Sequence, residues 1–126
     1  MKLLKNLVTI AAVIALIFSL AACGDGSNAL QKAVDEINEA EANNSAMEGI
    51  YNIYAEARDE STMVVVFEAE MPVLANPEVA KDAAEAGAEA FQASVEELRR
   101  ARVTDPKIIL EFLDMEGELI YSREFS

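Results

Sequence analysis

The sequence predicts an α+β fold, in which a four-stranded antiparallel sheet carries two helices packed on one face. Apolar residues recur at helical spacing in two stretches, and each stretch is followed by two short segments in which apolar and polar residues alternate. The predicted element order is therefore α-β-β-α-β-β. Because only a short connection separates the two halves, we expect all the elements to share one core.

The first helix is predicted over residues 28–43. Asn28 is a good capping residue at its start, and the polar residues that follow position 42 are typical of a helix end. Leu30, Val34 and Ile37 recur at helical spacing and form one apolar stripe. We expect this stripe to pack against the sheet.

Two strands are predicted next, over residues 49–58 and 63–71, joined by a polar turn. Alternation places Tyr51 on one face of the first strand, and Val65 and Phe67 on the inward face of the second. The outward positions are not very polar, since they include Ile50, Tyr54, Val64 and Val66. We therefore expect the outer face of this hairpin to be partly covered.

A long second helix is predicted to begin at Asn76-Pro77-Glu78, where a capping side chain precedes a proline at the first helical position. It is predicted to end before Thr104-Asp105-Pro106. Gly87 lies inside it, either as a weak point or as a place of close approach. The last hairpin follows, with strands over residues 108–113 and 119–125 and a turn in which Gly117 suits a left-handed conformation.

The N-terminus resembles a bacterial lipoprotein signal. Lys2 and Lys5 precede an almost unbroken apolar run that ends in Leu20-Ala21-Ala22-Cys23. Small residues stand directly before Cys23, and leucine is typical of the lipobox three places before it. We predict a signal peptide over residues 1–22, a diacylglyceryl group on Cys23, a spacer over residues 23–27 and one domain over residues 28–126.

Two alternatives to lipidation stay open. An uncleaved membrane-spanning anchor needs about 20 apolar residues, and this run is short for it. A plain secretory signal asks for a small residue where Leu20 stands. Lipidation predicts a protein held at the cell membrane on its extracytoplasmic face, because two acyl chains suffice for stable anchoring.

Composition excludes several classes of function. Cys23 is the only cysteine and the chain has no histidine, so lipidation leaves no thiol for disulfides, catalysis or metal binding. Mechanisms that need a histidine base are also excluded. The net charge of −13 becomes −15 when Lys2 and Lys5 leave with the signal, which argues against nucleic acid as a partner. We expect no cofactor and no catalytic residue.

The turn over residues 114–118 contains three carboxylates and a glycine, which is reminiscent of a calcium loop. The acids lack the alternating spacing of an EF-hand, so we expect a hairpin turn and no metal site. Acidic residues also form lines on the two predicted helices: Asp82, Glu85 and Glu89 on the second, Asp35 and Glu39 on the first. These lines suit either a solvated face or a surface for a cation or a basic partner.

The three tyrosines, Tyr51, Tyr54 and Tyr121, all lie on predicted strands. If they are exposed together on the outer sheet face, they offer a contact surface for a protein or peptide. The alternative is that their rings belong to the edge of the core and their hydroxyls reach the rim.

Several of these features together resemble a family of small uncharacterised lipoproteins from Gram-positive bacteria that carry a domain of unknown function. The similarity covers most of the mature chain. It rests on Cys23, on an alanine-rich helix ending near residues 95–103, on Asp105-Pro106, and on Asp114-Met115-Glu116-Gly117 leading to the aromatic last strand. The resemblance implies an envelope lipoprotein and implies no catalytic or ligand residue.

The sequence therefore predicts a lipid-anchored extracytoplasmic protein that binds or scaffolds an envelope protein or peptide and does not catalyse. A cation-binding lipoprotein that uses its acidic clusters is one alternative, and a carboxylate-based hydrolase is another.

Overall fold

The computed structural model describes residues 26–42 and 51–126. The predicted signal peptide, Cys23 and the outward Ile50 lie outside the described residues. The elements are α1 (Gly26–Ala42), β1 (Tyr51–Ala57), β2 (Thr62–Ala69), a 3₁₀ turn (Pro72–Leu74), α2 (Pro77–Ala86), α3 (Ala88–Arg100), β3 (Lys107–Leu113) and β4 (Leu119–Phe125). The α+β class and the four-stranded sheet are confirmed.

The strand directions differ from the prediction. The sheet has the order β1-β2-β3-β4, with β1 antiparallel to β2 and β3 antiparallel to β4. The central pair, β2 and β3, is parallel, so the prediction of a purely antiparallel sheet is wrong. The helical connection after β2 returns the chain to the end of the sheet at which β2 began, and a strand that starts there must run parallel to β2.

The second predicted helix is in fact two, so the element order is α-β-β-α-α-β-β and the predicted order is wrong on this point. Gly87 joins α2 to α3 with φ −97° and ψ 0°. Its N–H donates to the carbonyl of Ala83 at 3.3 Å, and its own carbonyl accepts from the N–H of Phe91 at 3.1 Å. Hydrogen bonding thus continues through the junction, although Gly87 itself does not belong to either helix.

The predicted start of α2 is confirmed, because the side chain of Asn76 accepts from the N–H of Glu78 at 2.9 Å. The helix ends earlier than predicted: α3 stops at Arg100. Arg102 and Asp105 then take positive φ values of 69° and 47°, so the chain turns sharply before β3.

One hydrophobic core joins the helices to a single face of the sheet. It contains the predicted α1 stripe of Leu30, Val34 and Ile37, together with buried side chains from α2, α3 and all four strands. Phe67 and Phe112 stack at its centre with ring centroids 4.7 Å apart. The inward positions predicted for Val65 and Phe67 are confirmed.

Val64 and Val66 of β2 are also buried, yet they point to the face opposite this core. Register places Tyr54 and Glu56 beside them on β1, and Ile109 and Glu111 beside them on β3. The expectation of a partly covered outer face is therefore confirmed at β2.

Candidate functional site

Cys23, the predicted lipidation site, lies outside the described residues, so the structure does not test it. Within residues 26–42 and 51–126, no helix has the length and apolar character needed to cross a membrane.

The turn between β3 and β4 uses its first carboxylate to hold the backbone. Asp114 Oδ1 accepts from the N–H groups of Glu116 and Glu118 at 2.8 and 2.9 Å. Gly117 has φ +85°, the predicted left-handed conformation. These contacts explain the acidic turn as hairpin structure. In the part of the chain that the structure describes, no group of three potential metal-ligating side chains converges.

The predicted acidic lines are exposed on their helices: Asp35 and Glu39 on α1, Asp82 and Glu85 on α2, Glu89 on α3. Asp35 accepts from the side chain of Gln31 at 3.0 Å. Because Gly87 separates Glu89 from the other two, the second line spans two helices and not one.

The three tyrosines do not form one outer surface, so that interpretation is wrong. Tyr51 is buried in the core and packs edge-on against Phe67, and Tyr121 packs beside Phe112. Only Tyr54 is exposed on the outer face. The period-two pattern of a strand puts Tyr51 and Tyr54 on opposite faces, because they are three residues apart.

Burial raises the pKa of Tyr51 to about 12, and its hydroxyl has no hydrogen-bond partner among residues 26–42 and 51–126. The pKa of Tyr54 is also raised, mainly by partial desolvation and further by the nearby carboxylates of Glu68, Glu56 and Glu111. Both hydroxyls therefore stay protonated at physiological pH.

An ion pair crosses the outer face of the sheet. Arg58, which follows β1, places Nη2 3.3 Å from a carboxylate oxygen of Glu111 on β3 and 3.8 Å from one of Glu56. Because β2 lies between β1 and β3, the guanidinium spans the central strand. Tyr54 and this ion pair make the outer face polar at its surface and less suited to apolar docking.

A shallow depression of about 500 Å³ lies where β1 turns into β2, and Ser61, Asp105 and Lys107 help to line it. Asp59 Oδ1 accepts from the N–H of Ser61 at 2.8 Å, and this hydrogen bond holds the pKa of Asp59 below its usual value. The Asp59 carboxylate thus stabilises the turn, and this structural role accounts for an acidic residue here without a bound ligand.

Most of the exposed large apolar side chains in the described part of the chain lie at the other end of the sheet. The register places Ala69 of β2 beside Tyr51, Leu113 of β3 beside Glu68, and Leu119 of β4 beside Leu113. Four of the five exposed large hydrophobic residues in the described chain lie at or just beyond this row: Met71, Val73, Met115 and Leu119. We call these four residues the apolar end.

Two ordered turns present the apolar end. In the first, Leu74 is buried and its N–H donates to the carbonyl of Met71 at 3.0 Å, so the 3₁₀ turn is anchored while Val73 remains 58% exposed. The second is the Asp114 hairpin turn, which presents Met115 at its tip. Val73 and Met115 therefore stand on backbone that hydrogen bonds already hold.

Charge is distributed unequally between the two ends of the sheet. The segments that form the apolar end, residues 68–76 and 112–120, contain no lysine or arginine and five carboxylates: Glu68, Glu70, Asp114, Glu116 and Glu118. The opposite end, formed by residues 56–62 and 99–109, contains four acidic residues and five basic ones. The basic residues are Arg58, Arg99, Arg100, Arg102 and Lys107. The two segments that carry the apolar end are thus acidic.

The apolar end was not predicted from the sequence. A signal for it was present, since Met71 ends a predicted strand, Val73 lies in the predicted connection after it and Met115 lies in a predicted turn, where polar residues are the norm. Recognising that these residues come together requires the parallel pairing of β2 with β3, which places the two connections at the same end.

No protein-family model, curated protein or solved structure matches the chain. The resemblance to small Gram-positive lipoproteins therefore stays a prediction.

Proposed function

We propose that the chain is a lipid-anchored extracytoplasmic binding module, tethered through Cys23, which docks an envelope protein or peptide at its apolar end and catalyses no reaction. The observation that carries the docking surface is the gathering of Met71, Val73, Met115 and Leu119 at one end of the sheet. Apolar residues grouped on a surface and surrounded by polar ones mark interaction sites more often than scattered ones do.

Two features support the tether: the lipobox-like sequence Leu20-Ala21-Ala22-Cys23, and the short distance along the chain between Cys23 and the first helix. Only Gly24 and Asp25 separate Cys23 from α1, which begins at Gly26. An extended chain spans at most about 3.5 Å per residue, so the folded domain begins within roughly 10 Å of the lipid. On this proposal the domain stays close to the membrane surface, where its partner must also be reachable.

The absence of catalysis is proposed from the composition. The chain has no histidine, and its one cysteine is assigned to the lipid. The acidic turn at Asp114 and the depression beside Asp59 are both explained by backbone hydrogen bonds.

The anchor is tested by intact mass and detergent partitioning of the protein from membranes of its native host, with Cys23→Ala as the comparison. We expect a mass gain for the diacylglyceryl group in the wild type and its loss in the variant. An unmodified, uncleaved chain in the membrane contradicts the proposal.

The docking surface is tested separately by placing a photo-crosslinking amino acid at Leu119 in the cell. The matched position is Glu60, which is exposed at the opposite end of the sheet. We expect a discrete crosslinked product from position 119 and none of the same mass from position 60. Identical products from both positions, or none from position 119, would contradict docking at the apolar end.

A further inference from the structure

The apolar end has the chemistry of an adaptable contact surface. Two of its four residues are methionines, whose unbranched side chains adjust to irregular partners. Met71 is 38% and Met115 is 57% exposed, so both side chains have room to move. A partner is therefore expected to present apolar side chains of its own to Val73 and Leu119.

The charges around the patch restrict what that partner can be. Glu116 and Glu118 are exposed in the same turn as Met115, and the two segments of the apolar end contain no basic residue. A surface that covers the patch must bring charge close to these carboxylates, and like charges across an interface are unfavourable. The complementary surface is apolar at its centre and carries lysine or arginine at its rim.

The same charges argue against two other occupants. A second copy that used the same end in a symmetric dimer would bring two sets of carboxylates together. A membrane rich in anionic lipids repels acidic residues at its surface. Both arrangements place negative charge against negative charge at the rim of the patch.

We propose that the apolar end binds a cationic amphipathic segment of a partner protein, with its apolar side chains on Met71, Val73, Met115 and Leu119 and its basic side chains beside Glu116 and Glu118. This inference rests on the proposed function, because it names the chemistry of the partner that docks there. Long basic side chains suit the arrangement, since their stems cover apolar surface while their charged groups reach the carboxylates.

The test uses the complete mature chain, residues 23–126, with Cys23→Ser so that no lipid competes. The probe is a peptide of leucine and lysine, about four helical turns long, with its leucines on one face. Binding is followed by NMR shift changes in the protein. We expect a saturable change confined to residues 70–76 and 113–120, and none with a peptide in which glutamate replaces each lysine.

Two double variants separate the site from general electrostatic attraction. Glu116→Gln with Glu118→Gln removes two charges at the apolar end, and Asp82→Asn with Glu85→Gln removes two from the exposed face of α2. We expect the first to raise the Kd of the lysine peptide about fivefold and the second to change it less than twofold. Equal weakening by both variants would overturn the proposal.

The apolar contribution is tested with Leu119→Gln, which we expect to raise the same Kd about fivefold. An unchanged Kd would show that charge alone binds the peptide and would overturn the proposal. Shift changes of residues 70–76 and 113–120 on addition of phosphatidylcholine vesicles would also overturn it, because a lipid surface would then be the occupant.

The crosslinking and peptide-binding experiments together distinguish failure of this inference from failure of the proposed function. A crosslinked partner at position 119 with no basic amphipathic segment would overturn this inference and leave the docking surface standing. Peptide binding at the apolar end with no crosslink in the cell would leave the surface chemistry standing and contradict the proposed function.

Discussion

One asparagine side chain satisfies the backbone groups of a residue on the edge strand β1. Asn38 of α1 donates from Nδ2 to the carbonyl of Ala55 at 2.9 Å, and its Oδ1 accepts from the N–H of Ala55 at 2.7 Å. Among the described strands β1 lies at the edge of the sheet, so no other strand of that set pairs with these two backbone groups. The amide of Asn38 thus takes the place that a further strand would occupy at this residue.

Asn38→Ala is expected to lower the free energy of unfolding by about 1–3 kcal/mol, because it leaves a partly buried N–H and C=O without partners. Urea denaturation measures the change. The matched variant is Asn52→Ala, which removes only an exposed hydrogen bond to Glu68 and is expected to cost less than about 1 kcal/mol. Equal losses in the two variants would contradict a special role for Asn38.

The buried hydroxyl of Tyr51 leads to a pH-dependent prediction. Since Tyr51 has a pKa of about 12 in the folded protein against an ordinary 10.0, the unfolded chain releases this proton first. The stability contributed by the neutral phenol is fully present below pH 10 and is lost as the pH rises through about 12.

Tyr51→Phe is therefore expected to be neutral or slightly stabilising at pH 7, because it removes an unsatisfied buried hydroxyl and keeps the ring. From pH 10 towards 12 the variant should lose less stability than the wild type, with a difference of about 2 kcal/mol at the upper limit. Thermal unfolding against pH measures both effects. A clear loss at pH 7 would mean that the hydroxyl makes a stabilising contact.

Methionine exposure predicts an order of oxidation. Met71 and Met115 are exposed, whereas Met63 is fully buried in the core. Dilute hydrogen peroxide is expected to convert the first two to sulfoxides well before Met63, because reaction requires access to the sulfur. Peptide mapping by mass spectrometry measures the three rates. Comparable rates in the native protein, as in a urea-unfolded control, would contradict the exposure of the apolar end.

Among the elements, the β3–β4 hairpin depends on one backbone conformation. Gly117 has φ +85°, and a Cβ added there would meet no atom within 4 Å. The cost of a side chain is therefore conformational and not steric contact with the rest of the protein. Asp114 closes the same turn by its two hydrogen bonds to backbone N–H groups.

Gly117→Ala is expected to lower the free energy of unfolding by about 1 kcal/mol, and Gly117→Asn by less, because asparagine tolerates the left-handed region better than alanine. Chemical denaturation of both variants measures the difference. An alanine variant as stable as the wild type would mean that the turn adopts another conformation.

On the scale of the whole molecule, charge is the dominant property. The chain has 23 acidic and 10 basic residues, a net charge of −13 at pH 7. Mutual repulsion among these charges opposes the compact state, and salt screens it.

Raising the ionic strength from about 0.01 M to about 0.5 M at pH 7 should therefore raise the Tm, because the Debye length falls from about 30 Å to a few ångströms. Sodium chloride is the appropriate salt, and an uncharged osmolyte of equal osmolality is the control for solvent effects. A Tm that falls or stays constant with salt would indicate that attractive ion pairs such as Arg58 with Glu111 outweigh the repulsion.

Much of the fold was predictable because it depends on local patterns. The side chain of Asn76 and the proline after it specify the start of α2, Gly117 specifies the last turn, and the period-two burial of β1 separates Tyr51 from Tyr54. The break at Gly87 was ambiguous, since a glycine within a predicted helix is compatible with either a weak point or a place of close approach. The candidate site was not predicted, because its residues come from two segments of the chain 40 or more positions apart.

The sequence by itself determined the α+β class, the acidic character, the positions of most strands and turns, and the prediction of a lipid on Cys23. These properties follow from composition and from short-range periodicity, which any segment carries on its own. Only the tertiary structure decided that β3 lies parallel to β2 and that Met71, Val73, Met115 and Leu119 share one end of the sheet. The physical reason is that strand pairing and burial depend on which distant segments pack together, and no local pattern records that choice.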